Sequence, residues 1–207
     1  MARVGCVILA AGAARRFGGD KLTAPLLGKP VLAHVLDALP MDALARVVCV
    51  VSGDGAQALC DARGVPCVRY PGGTKSDTLR LGLSRMLDLD GCLFVQGDQP
   101  LLRTASVRQL LGAFSREPET AWRLSWGGQG GSPVLFPRAL FGELMALTGE
   151  RGGASILRAR PVRLLQAEHP GELLDCDTPQ ALALLAAQCG GNEGIDRLPV
   201  AGEVGDC

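Results

Sequence analysis

Short, unbroken apolar runs alternate along this chain with longer stretches whose apolar residues recur every three or four positions. Val4 to Leu9, Val47 to Val51, Cys67 to Tyr70 and Cys92 to Val95 are rich in Val and bounded by Gly, Asp or Pro, which predicts buried strands. Between them the spacing predicts helices. One starts at Pro30 with Val31, Val35, Leu36 and Leu39 on one face, and one runs from about Asp54 to Arg63. A third runs from about Asp77 to Leu87, with Leu79, Leu83 and Leu87 in register, and Thr104 is placed to cap a fourth reaching Phe114. Strand and helix in alternation predict a mainly parallel sheet covered on both faces, an α/β three-layer architecture.

The second half is less regular. Ala121 to Trp126 and Pro133 to Phe136 read as strands around a glycine-rich turn. Helices at about Pro137 to Leu147 and Ala154 to Arg158 follow, then a strand at Val162 to Gln166. Thr178 opens a last helix, with Pro179 in its first turn, that runs to about Gln188. Gly and charged residues dominate beyond it, so the chain reads as one domain over residues 1–188 with a loose tail at 189–207.

Composition narrows the partners. Of 207 residues 47% are apolar, enough for a substantial core, and 21 basic residues balance 21 acidic ones. That neutrality argues against a broad nucleic-acid or membrane surface, and no stretch approaches the ~20 apolar residues of a membrane span. The apolar Val4 to Ala14 after Arg3 resembles a signal peptide, but Arg15 and Arg16 follow at once, and a strand feeding a loop explains the segment better. The eight cysteines include no C-x-x-C pair, and Cys6, Cys49 and Cys92 lie within apolar runs. Reduced thiols in a cytoplasmic protein are the expectation, with neither a disulfide framework nor a zinc site.

Three segments carry candidate chemistry. The first strand empties into Ala10-Ala11-Gly12-Ala13-Ala14-Arg15-Arg16-Phe17-Gly18-Gly19-Asp20-Lys21, where small residues let backbone N–H groups approach a polyphosphate and the cations supply countercharge. An ordinary turn with solvated charges has the same composition. The loop is not a dinucleotide fingerprint, and Gly72-Gly73-Thr74-Lys75-Ser76 does not complete a P-loop. Gly97-Asp98-Gln99-Pro100 follows a buried strand, where a carboxylate can hold Mg²⁺ beside phosphates or simply bond its own turn. Asp175-Cys176-Asp177-Thr178-Pro179 enters the last helix. Asp175 and Asp177 lie on one face of an extended strand, so either could join Asp98, and Asp177 or Thr178 could equally be an N-cap.

Taken in order, these segments resemble the MobA-like nucleotidyltransferases: Leu9-Ala10-Ala11-Gly12 through Arg16, Phe17, Gly18 and Asp20-Lys21-Leu22, then Gly97-Asp98-Gln99-Pro100 and Asp177-Thr178-Pro179. Within that family the chain is most similar to molybdenum cofactor cytidylyltransferases. Gly131-Ser132-Pro133-Val134-Leu135-Phe136 and Gly152-Gly153-Ala154-Ser155 are similar to their acceptor-side segments, and the resemblance covers about residues 4–188.

The resemblance implies a Rossmann-like nucleotidyltransferase fold with a nucleotide-binding first half and an acceptor-binding second half. It places the nucleotide on Leu9, Ala10, Ala11 and Gly12, its phosphates on Arg16 and Lys21, and Mg²⁺ on Asp98 and Asp177. Lys21, Arg16 and Asp98 would carry catalysis. Leu-Ala-Ala-Gly, where relatives that use GTP commonly have Leu-Ala-Gly-Gly, points to CTP. Gly72, Gly73 and Thr78 are similar to the cytosine-reading segment of methylerythritol cytidylyltransferases, shortened by one residue. The implied reaction passes CMP from CTP to the phosphate of a molybdopterin-type acceptor and releases pyrophosphate, with a molybdoenzyme as recipient of the product. Nucleotidyl transfer to a sugar or polyol phosphate, and a non-catalytic cofactor carrier, are the alternatives.

Overall fold

A computed structural model describes residues 2–12, 17–70, 72–158 and 160–190, with side chains through 187. The elements in chain order are β1 (Val4–Ala10), β2 (Pro25–Leu26), β3 (Lys29–Pro30), α1 (Val31–Asp37), β4 (Arg46–Val51), α2 (Asp54–Asp61), β5 (Cys67–Arg69), α3 (Lys75–Leu83) and β6 (Gly91–Gln96). They continue with α4 (Thr104–Arg116), β7 (Ala121–Trp126), β8 (Gln129–Pro137), α5 (Phe141–Met145), α6 (Ala154–Leu157), β9 (Val162–Gln166) and α7 (Pro179–Gly190). Apart from the small antiparallel pair β2–β3, the strands form one sheet in the order β5-β4-β1-β6-β8-β7-β9.

Four neighbouring strands, β5, β4, β1 and β6, run parallel. The chain steps outward from β1 to β4 and β5, then returns to place β6 on the other side of β1, so the strand order reverses between β1 and β6. Open α/β sheets bind ligands outside the carboxyl ends of strands at such a reversal. β8 pairs antiparallel with β6 and with β7, and β9 restores a parallel edge.

Side chains alternate across the sheet and fill two cores. Ile8, Cys49, Val95 and Leu135 pack on one face with α1, α2 and α4, while Val7, Val50, Phe94 and Phe136 pack on the other with α3 and α5. α3 lies close on the sheet because Gly82 has no side chain; a Cβ there would stand 2.3 Å from Val7 Cγ1. Cys6, Cys49, Cys60, Cys67, Cys92 and Cys176 are free thiols, all but Cys67 buried, and fill the interior as small hydrophobes. Among the described residues no helix is long and apolar enough to cross a membrane.

Several local expectations are corrected. Pro30 belongs to β3 and precedes α1 as its cap residue. The third helix starts earlier and ends earlier than its leucine spacing implies: Thr74 and Asp77 form a reciprocal capping box at its start, it stops at Leu83, and Leu87 is exposed. Thr104 lies inside α4, whose cap position is Arg103. The helix expected at 137–147 is shorter, because β8 continues through Pro137 and a 3₁₀ turn over Arg138–Leu140 precedes α5. β8 itself is longer than the expected run Pro133–Phe136, since its polar and glycine residues pair with β7 in a hairpin. The expected tail at 191–207 lies outside the described residues, and α7 reaches residue 190.

Candidate active site

β1 ends at the sheet's reversal point with Ala10 buried, Ala11 half-buried and Gly12 exposed. Ala11 packs against the core on the α3 side of the sheet, and so does Leu9. Among the described residues, no atom lies within 4 Å of where a Cβ on Gly12 would stand, so this glycine adds no bulk beyond β1. Gly97 is needed for a different reason. Its N–H donates to Leu9 O at 3.0 Å, and a Cβ there would crowd Ala10, Leu9 O and Leu32. The close approach sets Asp98 directly beside the loop that leaves β1. Arg16 lies outside the described residues.

Lys21 is the centre of the arrangement. Its side chain is 12% exposed, and its ammonium donates to the Asp98 carboxylate and, at 2.8 Å, to Asp177 Oδ1. Burial works to strip the proton from this lysine. The attraction and hydrogen bonds of Asp98 and Asp177 outweigh it and hold the ammonium above its ordinary value. The backbone around it is fixed by Leu22, buried, whose carbonyl accepts from Leu32 N–H at 3.0 Å, and by Asp20 Oδ1 accepting from Leu22 N–H.

The second aspartate arrives from the far end of the chain. Cys176 N–H donates to Asp98 O at 2.8 Å, stitching the segment before α7 to the end of β6. A separate apolar cluster of Leu26, Val31, Cys176 and Leu185, with Phe17 and Leu101 against it, joins α7 to the β2–β3 hairpin that follows Lys21. Thr178 Oγ1 accepts from Ala181 N–H at 3.0 Å and so caps α7, which leaves Asp177 turned to Lys21. Asp175 points elsewhere and accepts from Gln99 Nε2 at 2.9 Å. Crowding by protein, then the charges of Asp98 and Asp177, push its carboxyl up to about 6. Because Asp175 keeps an exposed surface, water screens part of that push.

The pair Asp98 and Asp177 offers carboxylate oxygens converging on one cation, the donor type that Mg²⁺ and Mn²⁺ accept. No cluster of three or more His, Cys, Asp or Glu that could hold a metal exists among the described residues. Two carboxylates completed by phosphate oxygens and water are the usual provision for Mg²⁺ at a nucleotide, so the donor set fits.

The segment after β5 forms one wall. Gly72 and Gly73 both have positive φ, and a Cβ on Gly73 would collide with the Tyr70 hydroxyl. Tyr70 donates in turn to Asp77, whose carboxyl is held well below the usual range by Thr74 first and then Arg80 and Tyr70. Thr78 lies in the first turns of α3, its hydroxyl donating to Thr74 O at 3.4 Å. Ser76 N–H donates to Gly149 O at 3.2 Å, which ties this wall to the loop leading into Gly152-Gly153.

One supporting residue has no sequence signature. Glu172 is wholly buried and its carboxylate accepts from Arg103 N–H, Ser106 Oγ, Glu168 N–H and His169 N–H at 3.0–3.1 Å. It thereby caps α4 from 66 residues away and fixes the 3₁₀ turn Pro170–Leu173 that leads to Asp175 and Asp177. Glu172→Ala should strand four donors and cost about 3 kcal/mol or more, a drop in Tm of roughly 6–12 °C by thermal denaturation. A shift of less than about 2 °C would mean that water replaces the carboxylate at no cost.

A mainly parallel sheet with a strand-order reversal, small residues at the end of β1 and a lysine between two carboxylates beyond the neighbouring strand define a Rossmann-like nucleotidyltransferase fold. The chain belongs to the family of MobA-like NTP transferase domains, whose pattern matches residues 6–167. Among curated relatives, the 2-C-methyl-D-erythritol 4-phosphate cytidylyltransferase of Dehalococcoides mccartyi (strain CBDB1) is 36% identical over 119 residues, covering 54% of this chain and 52% of that protein. The match thus spans about half that relative's length. Among solved structures, Rv0371c from Mycobacterium tuberculosis H37Rv superposes with a TM-score of 0.77 at 27% identity, covering 89% of this chain and 98% of that one. A further structure of Rv0371c, in complex with manganese, gives a TM-score of 0.72 at 26% identity, with coverage of 89% and 98%.

Proposed function

We propose that this protein is a divalent-metal-dependent cytidylyltransferase that transfers CMP from CTP to the phosphate of a molybdopterin-type acceptor and releases pyrophosphate. The observation that carries the proposal is the convergence of Lys21, Asp98 and Asp177 beside the small residues at the end of β1. Membership of the NTP transferase family and the manganese bound by Rv0371c support the reaction class and the metal.

In the proposed reaction an acceptor phosphate oxygen attacks the α-phosphorus of CTP, and the bond from that phosphorus to the bridging oxygen breaks to release pyrophosphate. A phosphate monoester is already ionised at neutral pH, so the protein need not supply a strong base. Bound Mg²⁺, held by Asp98 and Asp177, would neutralise charge on the polyphosphate. Lys21, and Arg16 with it, would donate to phosphate oxygens as negative charge moves onto the leaving group. The backbone of Leu9, Ala10, Ala11 and Gly12 would align the nucleotide.

The base is read on the α3 side. Ala11 carries its methyl group toward that side, where Gly72, Gly73 and Thr78 line the wall, and a pyrimidine fits a narrowed space better than a purine. Size alone supplies about 1–3 kcal/mol, so hydrogen bonds from backbone at Gly72 and Gly73 and from Thr78 to the cytosine edge complete the preference. Competition between CTP and GTP should favour CTP by about tenfold or more, read as pyrophosphate release with molybdopterin as acceptor. Equal use of both, or a preference for GTP, would overturn the cytidylyl assignment and leave nucleotidyl transfer standing.

A second reading has its own support: transfer to a polyol phosphate, favoured by the 36% identity to a 2-C-methyl-D-erythritol 4-phosphate cytidylyltransferase. The same assay with that acceptor distinguishes the two. No pyrophosphate with either acceptor, against intact nucleotide binding, would point to a non-catalytic carrier.

A further inference from the structure

Most arginines of the described chain face a carboxylate. Those that do not, Arg85, Arg116, Arg138, Arg151 and Arg158, are exposed and spend their charge in water. Arg123 is the exception: it is half-buried, and no carboxylate among the described residues pairs with it. Burial pulls its guanidinium below the ordinary arginine value, with no opposing charge to restore it. A partly desolvated cation without a counter-anion carries a residual cost, which an anionic ligand relieves.

The local structure holds this guanidinium in place. Arg123 Nε donates to Gly131 O at 2.6 Å, and the side chain lies across β8 over Gly130, where a Cβ would stand 2.7 Å from Arg123 Cδ. Gly130 is therefore the bed of the arginine. With Nε committed, the two terminal nitrogens keep their N–H groups, which have no partner among the described residues. That fork matches two oxygens of one phosphate.

Its position relates it to the candidate site. The β6–β8 ladder stops at Phe94 and Val134, whereas the β7–β8 hairpin continues to Trp126 and Gln129. Gly130 and Gly131 thus stand beyond the ladder, at the end of the sheet where β6 delivers Asp98. Arg123 shares a sheet face with Ala121 and Val134, the face that α3 and α5 cover. The wall from Gly72 to Thr78 stands on that side, and Gly149 joins it through Ser76.

We infer that Arg123 receives the anionic phosphate group of the acceptor and so sets which molecules the protein accepts. This rests on the nucleotidyltransferase reading, in which the acceptor must bring a phosphate to the nucleotide. The nucleotide's own phosphates lie with Lys21, so the two anions are received by separate cations. Arg123 is a binding residue for the acceptor, and its loss should act on acceptor affinity and leave CTP affinity nearly unchanged.

Two measurements test this on the whole protein. Phenylglyoxal modifies accessible arginines, and peptide mass spectrometry reads Arg123 directly. Inorganic phosphate should slow modification of Arg123 several-fold, whereas CTP should not. No protection by phosphate, or equal protection by CTP, would overturn the assignment. In steady-state assays with 2-C-methyl-D-erythritol 4-phosphate and with molybdopterin, Arg123→Gln should raise the acceptor KM at least tenfold, and Arg123→Lys should recover part of it. The KM for CTP should stay within about twofold of the parent. An unchanged acceptor KM in a folded Arg123→Gln protein, or a rise confined to CTP, refutes the proposal. The labelling experiment needs no turnover: if no acceptor yields pyrophosphate yet phosphate still protects Arg123, the catalytic reading fails and the anion site stands.

Discussion

Asp98→Ala should lower pyrophosphate release by roughly 10³-fold or more while the protein stays folded, with Tm close to that of the parent. The expectation follows from the way the carboxylate is held. Asp98 sits at the end of a buried strand, its carbonyl is taken by Cys176 N–H, and its side chain shares one cation with Asp177. The backbone bond survives the substitution, so the turn and α7 keep their places. What disappears is half of the oxygen pair. One carboxylate is a poor holder of Mg²⁺, and several kcal/mol of charge stabilisation would go with it. Titration with Mn²⁺, followed by its electron paramagnetic resonance signal, should show the same loss without any turnover. Asp177→Ala should behave alike, whereas Asp175→Ala should spare Mn²⁺ binding, since Asp175 is engaged by Gln99. Near-normal turnover by Asp98→Ala removes this residue from the site; loss of Mn²⁺ binding in Asp175→Ala alone transfers the second position to Asp175.

Lys21→Met should move two assays in opposite directions. The ammonium stands between Asp98 and Asp177, where a divalent cation would compete with it. Removing it takes away a cation that competes for Asp98 and Asp177, so Mn²⁺ should bind the nucleotide-free protein more tightly than it binds the parent. Turnover should nevertheless fall by ~30- to 1,000-fold, the equivalent of about 2–4 kcal/mol lost from stabilisation of the leaving pyrophosphate. The fall should appear in kcat more than in the KM for CTP. A raised KM alone would mean that the lysine binds substrate and transition state equally. Weaker Mn²⁺ binding in the variant would mean that the lysine organises the carboxylates instead of competing for them.

The parallel half of the sheet was legible because buried parallel strands leave continuous apolar runs: Val4–Leu9 and Cys92–Val95 each lie within an observed strand. Ala121–Trp126 and Val162–Gln166 also matched strand bounds. Elements failed where their partners are distant in the chain. Thr104 is a fitting cap by type, but the start of α4 is served by Glu172, and nothing near Thr104 carries that information. Leu87 keeps the leucine spacing of α3, yet the chain turns after Leu83 to begin the approach to β6, and spacing cannot record a turn. In the site, Gly97 and Lys21 carry recognisable local patterns. The choice between Asp175 and Asp177 did not, because alternate residues of an extended segment share a face; in the fold Asp175 faces Gln99 and Asp177 faces Lys21. Arg123 was invisible for the same reason: that no carboxylate among the described residues pairs with it is a property of the fold.

The bond from Lys21 to Asp177 spans 156 residues, almost the whole described chain. During synthesis, Lys21 and Asp98 are both made well before residue 177. A ribosome-bound chain can therefore assemble β1, β4, β5 and β6 with a lysine facing a single aspartate and no second carboxylate for a metal. The order of translation keeps Lys21 from its second carboxylate until the segment before α7 has emerged, so under the proposed function a half-made chain would lack the pair that holds the metal.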